Sequence, residues 1–218
     1  MILTFDGPSG TGKSTIALSV ARKLGFKYLN TGMIYRALSY YFITNNIMPN
    51  DKRLDSLVNN LNIKILFDND NQIVHINGID CTPFVSNKEV QQYVSKYSVN
   101  KNIREKVTSI QRDFAFNNDV VVEGRDIGSV VFPDADFKFY VTCDIEVRAK
   151  RRLKDLLALG QKTDLKQVIE SLNNRDLLDS SREISPLIKP NNSIDIDTTH
   201  STIEESVNKV ISNIETFK

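Results

Sequence analysis

The nine residues from Gly7 to Thr15 read GPSGTGKST and match the phosphate-loop spacing G-x-x-x-x-G-K-[ST] at every fixed position. Glycines lack a Cβ atom, so consecutive backbone N–H groups can turn inward around a phosphate. Lys13 adds a positive charge that can bridge the outer phosphates of a nucleoside triphosphate, and the Ser14 hydroxyl is placed to ligate Mg²⁺. The predicted triphosphate site consists of Gly7, Pro8, Ser9, Gly10, Thr11, Gly12, Lys13, Ser14 and Thr15.

The elements on either side of this loop support the same interpretation. Apolar residues at Ile2, Leu3 and Phe5 indicate a short strand before it, and apolar residues recur at helical spacing from Ile16 to Leu24 after it. A C-terminal helix cap is expected at Gly25. The alternative is a glycine-rich turn without function, which would require the Lys-Ser pair and both flanking elements to coincide by chance.

Length and composition limit the class of protein. A chain of 218 residues is long enough for one large domain with insertions, and its 28 basic and 27 acidic residues give no net field that would attract nucleic acid or an anionic membrane. The sequence contains no basic leader followed by an apolar run, and no apolar run long enough to span a bilayer. We therefore expect a soluble, cytoplasmic protein with small-molecule partners, and neither nucleic acid nor a membrane as partner.

A second candidate site lies in the first half of the chain. Lys27 to Leu29 predicts a strand, and Asn30 and Thr31 offer caps for a helix that carries Arg36. Strands over 63–67 and 72–76 with polar turns after each then indicate a small antiparallel unit, followed by helices over 87–98 and 101–116. Such hairpins do not belong in a parallel sheet, so they predict a separate lobe.

Charged residues also follow a predicted buried strand later in the chain. The run Val120 to Val122 ends in the sequence EGRD, Glu123 to Asp126. Ligands of open α/β sheets bind at the carboxyl ends of the strands, so these charges are expected at the site. An acid in this position can hold the hydration shell of Mg²⁺.

The last third of the chain adds more arginines. A strand is predicted over Phe137 to Thr142 and a helix over Ile145 to Leu159, in which Arg148 and Arg152 are four residues apart and share a face. A solvated charged helix face is the alternative explanation for this pair.

The final segments predict a lid and the end of the sheet. The segment from Leu165 to Leu178 is expected to be helical, and Arg175 to Leu187, which overlaps its end, is interpreted as a mobile loop that can close over phosphates. Ile194 to Asp197 predicts the last strand, and Ser201-x-x-Glu204 predicts a capping box that opens the last helix.

These groups together indicate phosphoryl transfer. A nucleotide hydrolase needs a positioned water molecule, whereas arginines spread over several segments suit a second anionic substrate held opposite the first. Catalysis would then come mostly from alignment and charge stabilisation, without a general base.

The motifs GPSGTGKST, TGMIYR, EGRDIGSVVFPDA and the late RD...D..R segment ending in SPL resemble those of the bacterial cytidylate kinase (CMP/dCMP kinase) family, a group of nucleoside monophosphate kinases, over essentially the whole chain. The resemblance implies an α/β P-loop kinase fold over 1–218, with a five-stranded parallel sheet and helices on both faces. It also implies an inserted monophosphate-binding lobe at 31–105, with a small antiparallel sheet in a unit at about 50–100, and a short lid at about 155–185.

The reaction implied by the resemblance is transfer of the terminal phosphate of ATP to CMP or dCMP in pyrimidine nucleotide metabolism, with Mg²⁺ as cofactor and a monomer as the expected state. The implied catalytic residues are Lys13, Arg125, Arg175 and Arg182. The implied CMP-binding residues are Thr31, Arg36, Ser95, Arg104, Arg125, Asp126 and Asp179. ATP would be bound by the phosphate loop with Arg148 and Arg152, and Mg²⁺ by Ser14 and Glu123, partly through water.

Two alternatives stay open at this level. One is a kinase of the same fold that uses AMP, UMP or a non-nucleotide acceptor. The other is a nucleotide-dependent switch or assembly module, although the chain lacks the N-K-x-D and D-x-x-G motifs of a GTPase. The predicted lid also departs from related enzymes, because Leu178 and Ser180 stand where relatives can carry arginine.

Overall fold

The computed structural model describes residues 1–158 and 160–216. The strands are Ile2–Asp6 (β1), Lys27–Asn30 (β2), Ile63–Asp68 (β3), Asn71–Ile76 (β4), Ile79–Asp80 (β5), Val120–Glu123 (β6), Phe137–Thr142 (β7) and Ile194–Asp197 (β8). The helices are Lys13–Leu24 (α1), Thr31–Thr44 (α2), Leu54–Asn60 (α3), Lys88–Tyr97 (α4), Lys101–Ala115 (α5), Ile145–Ala158 (α6), Leu165–Ser180 (α7) and Ile203–Glu215 (α8).

The larger sheet confirms the predicted architecture. Its five strands follow the order β2-β6-β1-β7-β8, and helices cover both faces. The pairs β1–β6, β1–β7 and β7–β8 are parallel, so the carboxyl ends of β1 and β6 lie side by side. All of β6 and all but the first residue of β1 are buried, which agrees with the apolar residues that make up most of both strands.

The chain divides into two compact units, Met1–Phe26 with Val120–Lys218 and Lys27–Asp119. In the first unit, Ala149, Val168 and Leu172 form the apolar contact between α6 and α7. That packing, together with the phosphate loop at the end of β1, positions the site described below.

The second unit, Lys27–Asp119, contains the antiparallel sheet β3-β4-β5, as the sequence predicts. Gln72 of β4 is buried, and its side-chain amide pairs with the backbone of Asn30: Oε1 accepts from Asn30 N at 2.7 Å and Nε2 donates to Asn30 O at 3.2 Å. Asn30 in turn caps α2, with its side chain accepting from Met33 N. The small sheet therefore anchors the start of α2.

Two sequence predictions are wrong in detail. The segment 175–187 is not a loop at its start, because α7 continues to Ser180 and makes Arg175 a helical residue. The α8 capping box is formed by Thr202 and Glu205, one residue later than predicted, since the Glu205 carboxylate reaches the Thr202 backbone N–H. Leu159, the predicted end of α6, lies outside the described residues.

None of the helices in the described ranges combines the length and apolar character that crossing a bilayer requires.

Candidate active site

The phosphate loop adopts the backbone conformation for which its glycines are needed. Gly7 has φ of 149°, and a Cβ atom at that position would lie 2.1 Å from the backbone oxygen of Val141. Gly12 has φ of 84° and immediately precedes α1. Only glycine adopts these positive φ angles without strain, and only glycine allows the close approach of Val141 at position 7. The loop can therefore place its N–H groups and the N-terminus of α1 towards an anion.

Lys13 is the first residue of α1, and only 4% of its surface is exposed. Its ammonium group donates to the carbonyl oxygen of Pro8 at 3.0 Å. Burial lowers the pKa of Lys13 from 10.5 to about 7, and the positive charges of Arg125 and Arg175 act in the same direction. An approaching phosphate would relieve this electrostatic cost, so the ammonium group is suited to bind one.

Ser14, in the first turn of α1, meets Glu123, the last residue of β6. The Ser14 hydroxyl donates to Glu123 Oε1 at 2.8 Å, and Glu123 is 4% exposed. A hydroxyl and a carboxylate are oxygen donors of the kind that Mg²⁺ prefers, and Mg²⁺ commonly takes its other ligands from water and substrate phosphates. The donor set therefore fits a magnesium ion bound at this point.

Asp6 anchors the segment that follows β6, and the sequence analysis did not identify it. Its two carboxylate oxygens accept from Ile127 N at 2.8 Å and from Gly128 N at 2.7 Å, directly after Arg125 and Asp126. Burial raises the pKa of Asp6 to about 7, against the opposing effect of these two hydrogen bonds. An acid at the end of a buried strand was the available signal for this role.

Asp179 joins two of the predicted catalytic arginines. Its carboxylate accepts from Arg125 Nε at 2.9 Å and also pairs with Arg182. Burial raises the pKa of Asp179, but the charges of Arg125, Arg182 and Arg175 outweigh that effect and lower it overall. The buried carboxylate is therefore ionised and holds the guanidinium groups together.

Asp176, one turn before Asp179 in α7, makes the corresponding contacts at the phosphate loop, and the sequence analysis also missed it. Its carboxylate accepts from Arg148 Nη1 at 2.5 Å and from the backbone N–H of Ser9 at 3.1 Å. Arg148 Nη1 also donates to Ser9 O at 3.0 Å. Arg148 is thus held against the phosphate loop.

A further arginine of α6 reaches the loop. Arg151 donates to Thr198 O at 2.8 Å, and its Nη1 lies 3.8 Å from the position that a Cβ atom on Gly12 would occupy. The Thr198 hydroxyl donates to Thr11 O at 2.8 Å. Arg152, the residue that the sequence singled out, is half-buried on the same helix. Helical spacing alone could not rank these neighbouring arginines.

The unit Lys27–Asp119 holds its own group of predicted residues. Thr31 is buried at the start of α2, and the Arg36 guanidinium folds back to within 3.2 Å of the position of a Cβ atom on Gly32. Buried Arg104 donates to Ser98 O at 2.9 Å, and its Cζ lies 5.5 Å from the ring centroid of Tyr35. Ser95 is half-buried and accepts from the Ser98 hydroxyl at 3.0 Å through its carbonyl oxygen.

Comparison with known proteins gives a consistent result. The family model described as cytidylate kinase matches residues 3–216. A cytidylate kinase of Clostridium botulinum is 41% identical over 209 residues, which cover 95% of this chain and 94% of that protein. A cytidylate kinase of Clostridioides difficile is 40% identical over 215 residues, 98% of each chain.

A solved structure supports the fold. The shikimate kinase from Bacteroides thetaiotaomicron matches with a TM-score of 0.51 at 10% identity, over 99% of this chain and 98% of that one. At this identity the similarity concerns the P-loop kinase fold alone.

Proposed function

This chain belongs to the cytidylate kinase family, and on that basis we propose that it transfers the terminal phosphate of ATP to CMP or dCMP, giving ADP and CDP or dCDP. The observation that carries the proposal is the Lys13 ammonium group in a phosphate loop, where burial, together with the positive charges of Arg125 and Arg175, lowers its pKa to about 7. Such a group gains most when a phosphate chain arrives, which is what a nucleoside triphosphate supplies.

On the ATP side, the N–H groups of the loop from Gly7 to Thr15 bind the phosphate chain and Lys13 bridges its outer phosphates. Arg148, which is hydrogen-bonded to Ser9, and Arg152 complete the ATP site in this proposal. Ser14 and Glu123 hold Mg²⁺, partly through water. When bound, the ion neutralises charge between the phosphates.

On the acceptor side, Arg36 binds the phosphate of CMP, Thr31 places a hydroxyl near the acceptor, and Ser95 and Arg104 contact the cytosine. The buried Arg104 supports that role, because a guanidinium held by a carbonyl and an aromatic ring has a defined direction. In this proposal Arg125 also binds the acceptor phosphate, Asp126 contacts the base, and Asp179 contacts the sugar or phosphate.

Catalysis in this proposal is charge stabilisation. Lys13, Arg125, Arg175 and Arg182 neutralise the negative charge on the transferred group, so that the acceptor oxygen can approach the phosphorus in line with the leaving oxygen. The carboxylate of Asp179, which pairs with Arg125 and Arg182, keeps two of these cations close to each other despite their repulsion. No general base is required.

We further propose that the protein acts as a cytoplasmic monomer in pyrimidine nucleotide metabolism, with 31–105 as the acceptor lobe and about 155–185 as the lid. Substrate recognition in this proposal is confined to small molecules.

A competition assay tests the function. CMP, dCMP, UMP and AMP are offered together with ATP and Mg²⁺, and each diphosphate product is quantified by chromatography. CDP and dCDP should form fastest, and CMP should accelerate ADP formation from ATP. A clear preference for AMP would remove the cytidylate assignment, and ADP formation that ignores every monophosphate would favour a nucleotide-dependent binding module.

A further inference from the structure

Helix α7 carries two carboxylates that bind groups assigned to the nucleotide substrates. Asp176 and Asp179 are three residues apart and therefore share a face of the helix. Asp179 pairs with Arg125 and Arg182, and Asp176 pairs with Arg148 and the Ser9 N–H. Asp179 already has a place in the proposed CMP site, whereas Asp176 has no role so far.

The contacts of Asp176 have the form of an anion site. Its carboxylate receives one backbone N–H from the phosphate loop at 3.1 Å and one guanidinium N–H at 2.5 Å. A loop N–H together with an arginine is the donor set expected for a nucleotide phosphate. The side chains of Asp176 and Arg148 are 18% and 9% exposed, so solvent screens this contact only weakly.

We propose that Asp176 acts as an internal phosphate substitute, which competes with ATP for the Ser9 N–H and Arg148 and thereby weakens ATP binding. This inference rests on the proposed function, because it assumes that the loop binds a nucleotide phosphate chain. Asp176 is accordingly an affinity-determining residue, and it does not contact the reacting atoms.

The physical basis is competition for the same donors. Here the protein's own carboxylate engages the donor groups that would bind the ligand. The apparent affinity for the ligand is then the intrinsic affinity multiplied by the fraction of molecules in which those donors are free. The Asp176 carboxylate also repels an approaching phosphate through its like charge. Arg148 also retains an unsatisfied donor, because its Nε atom is buried and lacks a hydrogen-bond partner within the described part of the chain.

The competing explanation is that Asp176 only holds the loop and Arg148 in place. The two explanations predict opposite changes in anion affinity when the charge of Asp176 is removed. If Asp176 merely orders the loop, removing its charge loosens the site and weakens anion binding. If it competes, removing its charge strengthens anion binding although a protein contact is lost.

The test is calorimetric titration of the full chain with inorganic tripolyphosphate, which carries the phosphate chain without a base, and with adenosine, which carries the base without phosphates. Asp176→Asn keeps the size of the side chain and an acceptor for Ser9 N–H. We expect this variant to bind tripolyphosphate at least about threefold more tightly, and to bind adenosine as before. Tripolyphosphate binding that is unchanged or weaker in the folded variant overturns the proposal.

Glu170→Gln is the matched control, because Glu170 is an exposed residue of α7 and its replacement changes the net charge by the same amount. We expect an effect below about 1.5-fold, since an exposed charge is largely screened by salt. An equal gain in both variants would mean that net charge alone is responsible, and would also overturn the proposal.

A measurement on the unmodified chain makes the test independent of how the variants fold. Saturating tripolyphosphate should release Asp176 and accelerate amide hydrogen exchange in the last turn of α7, around residues 176–180. Unchanged or slower exchange there would contradict release. Neither readout involves CMP, so failure of the cytidylate assignment and failure of this inference are separate results.

Discussion

Predicted site arginines of the two units have different partners in the structure. In the unit formed by Met1–Phe26 and Val120–Lys218, Arg125 and Arg148 are bound by the carboxylates of Asp179 and Asp176. In the unit Lys27–Asp119, Arg104 is held by the carbonyl of Ser98 and the ring of Tyr35.

Carboxylate partners are needed where several positive charges lie close together. Lys13 is affected by the charges of both Arg125 and Arg175, and such a group of like charges is stable only with nearby carboxylates. In the unit Lys27–Asp119, the carbonyl of Ser98 and the ring of Tyr35 orient the Arg104 guanidinium. We therefore expect substitutions at Lys13 to impair the reaction with every acceptor. Substitutions at the predicted site residues of Lys27–Asp119 should reduce the use of the acceptor and leave ATP binding unchanged.

The largest effect is expected for Lys13→Ala. Losing the ammonium group should reduce kcat/KM by about 10⁴-fold, or about 5 kcal/mol of transition-state stabilisation, with CMP and dCMP alike. Burial opposes the charge of Lys13, so the variant should unfold at the same temperature as the unmodified protein or higher. Steady-state kinetics and thermal unfolding check both statements. Full activity would place the phosphate site elsewhere.

Arg36→Ala should have the next largest effect, and only on the acceptor. Loss of the contact to the CMP phosphate should cost on the order of 2 to 5 kcal/mol in kcat/KM for CMP, while ATP binding is retained. Arg53→Ala is the matched control, because Arg53 is an exposed arginine of the same unit that pairs with Asp51. Wild-type rates in the Arg36 variant, or equal losses of kcat/KM in the two variants, would contradict a role of Arg36 in binding the CMP phosphate.

The pH dependence of ATP binding should reveal the shifted pKa of Lys13. Because that pKa is about 7 and phosphate binds the charged form, affinity should fall as pH rises through 7, by up to about tenfold per pH unit. Titrations between pH 7.5 and 9 avoid the ionisation of ATP itself. Lys13→Arg stays charged over this range, so its affinity should change little with pH. Equal slopes for the two proteins would refute the assignment.

The smallest effect is expected in the predicted lid. With Leu178 and Ser180 in place of arginines, closure should depend on fewer charges, so turnover should be less sensitive to salt than in arginine-rich relatives. Leu178 is 51% exposed, and Leu178→Arg should steepen the loss of kcat with added KCl by about two- to threefold. Phe116→Arg, at an 86% exposed position, is the control and should not alter the salt response. A salt response in the unmodified chain as steep as that of arginine-rich relatives would contradict this interpretation.

Much of the fold was predictable because local patterns encode it. The glycine spacing of the phosphate loop, the β-branched run at Val120–Val122 and the helical periodicity after the loop each specify one element, and all three were confirmed. The errors concern boundaries. The charged and small polar residues from Arg175 onward are typical of a loop. In the structure, Asp176 and Asp179 lie in a helix that continues to Ser180, and their carboxylates bind Ser9 N–H and Arg125.

The sequence by itself determined the phosphate loop, the parallel sheet and the family, because these depend on residue types at fixed spacing along the chain. The tertiary structure alone decided which group each buried carboxylate meets. Asp6 bonds to residues 121 and 122 positions away, and Asp176 meets Ser9 across 167 positions. Such pairs are selected by the packing of whole elements and by the cost of burying an unpaired charge, and neither leaves a periodic trace in the sequence.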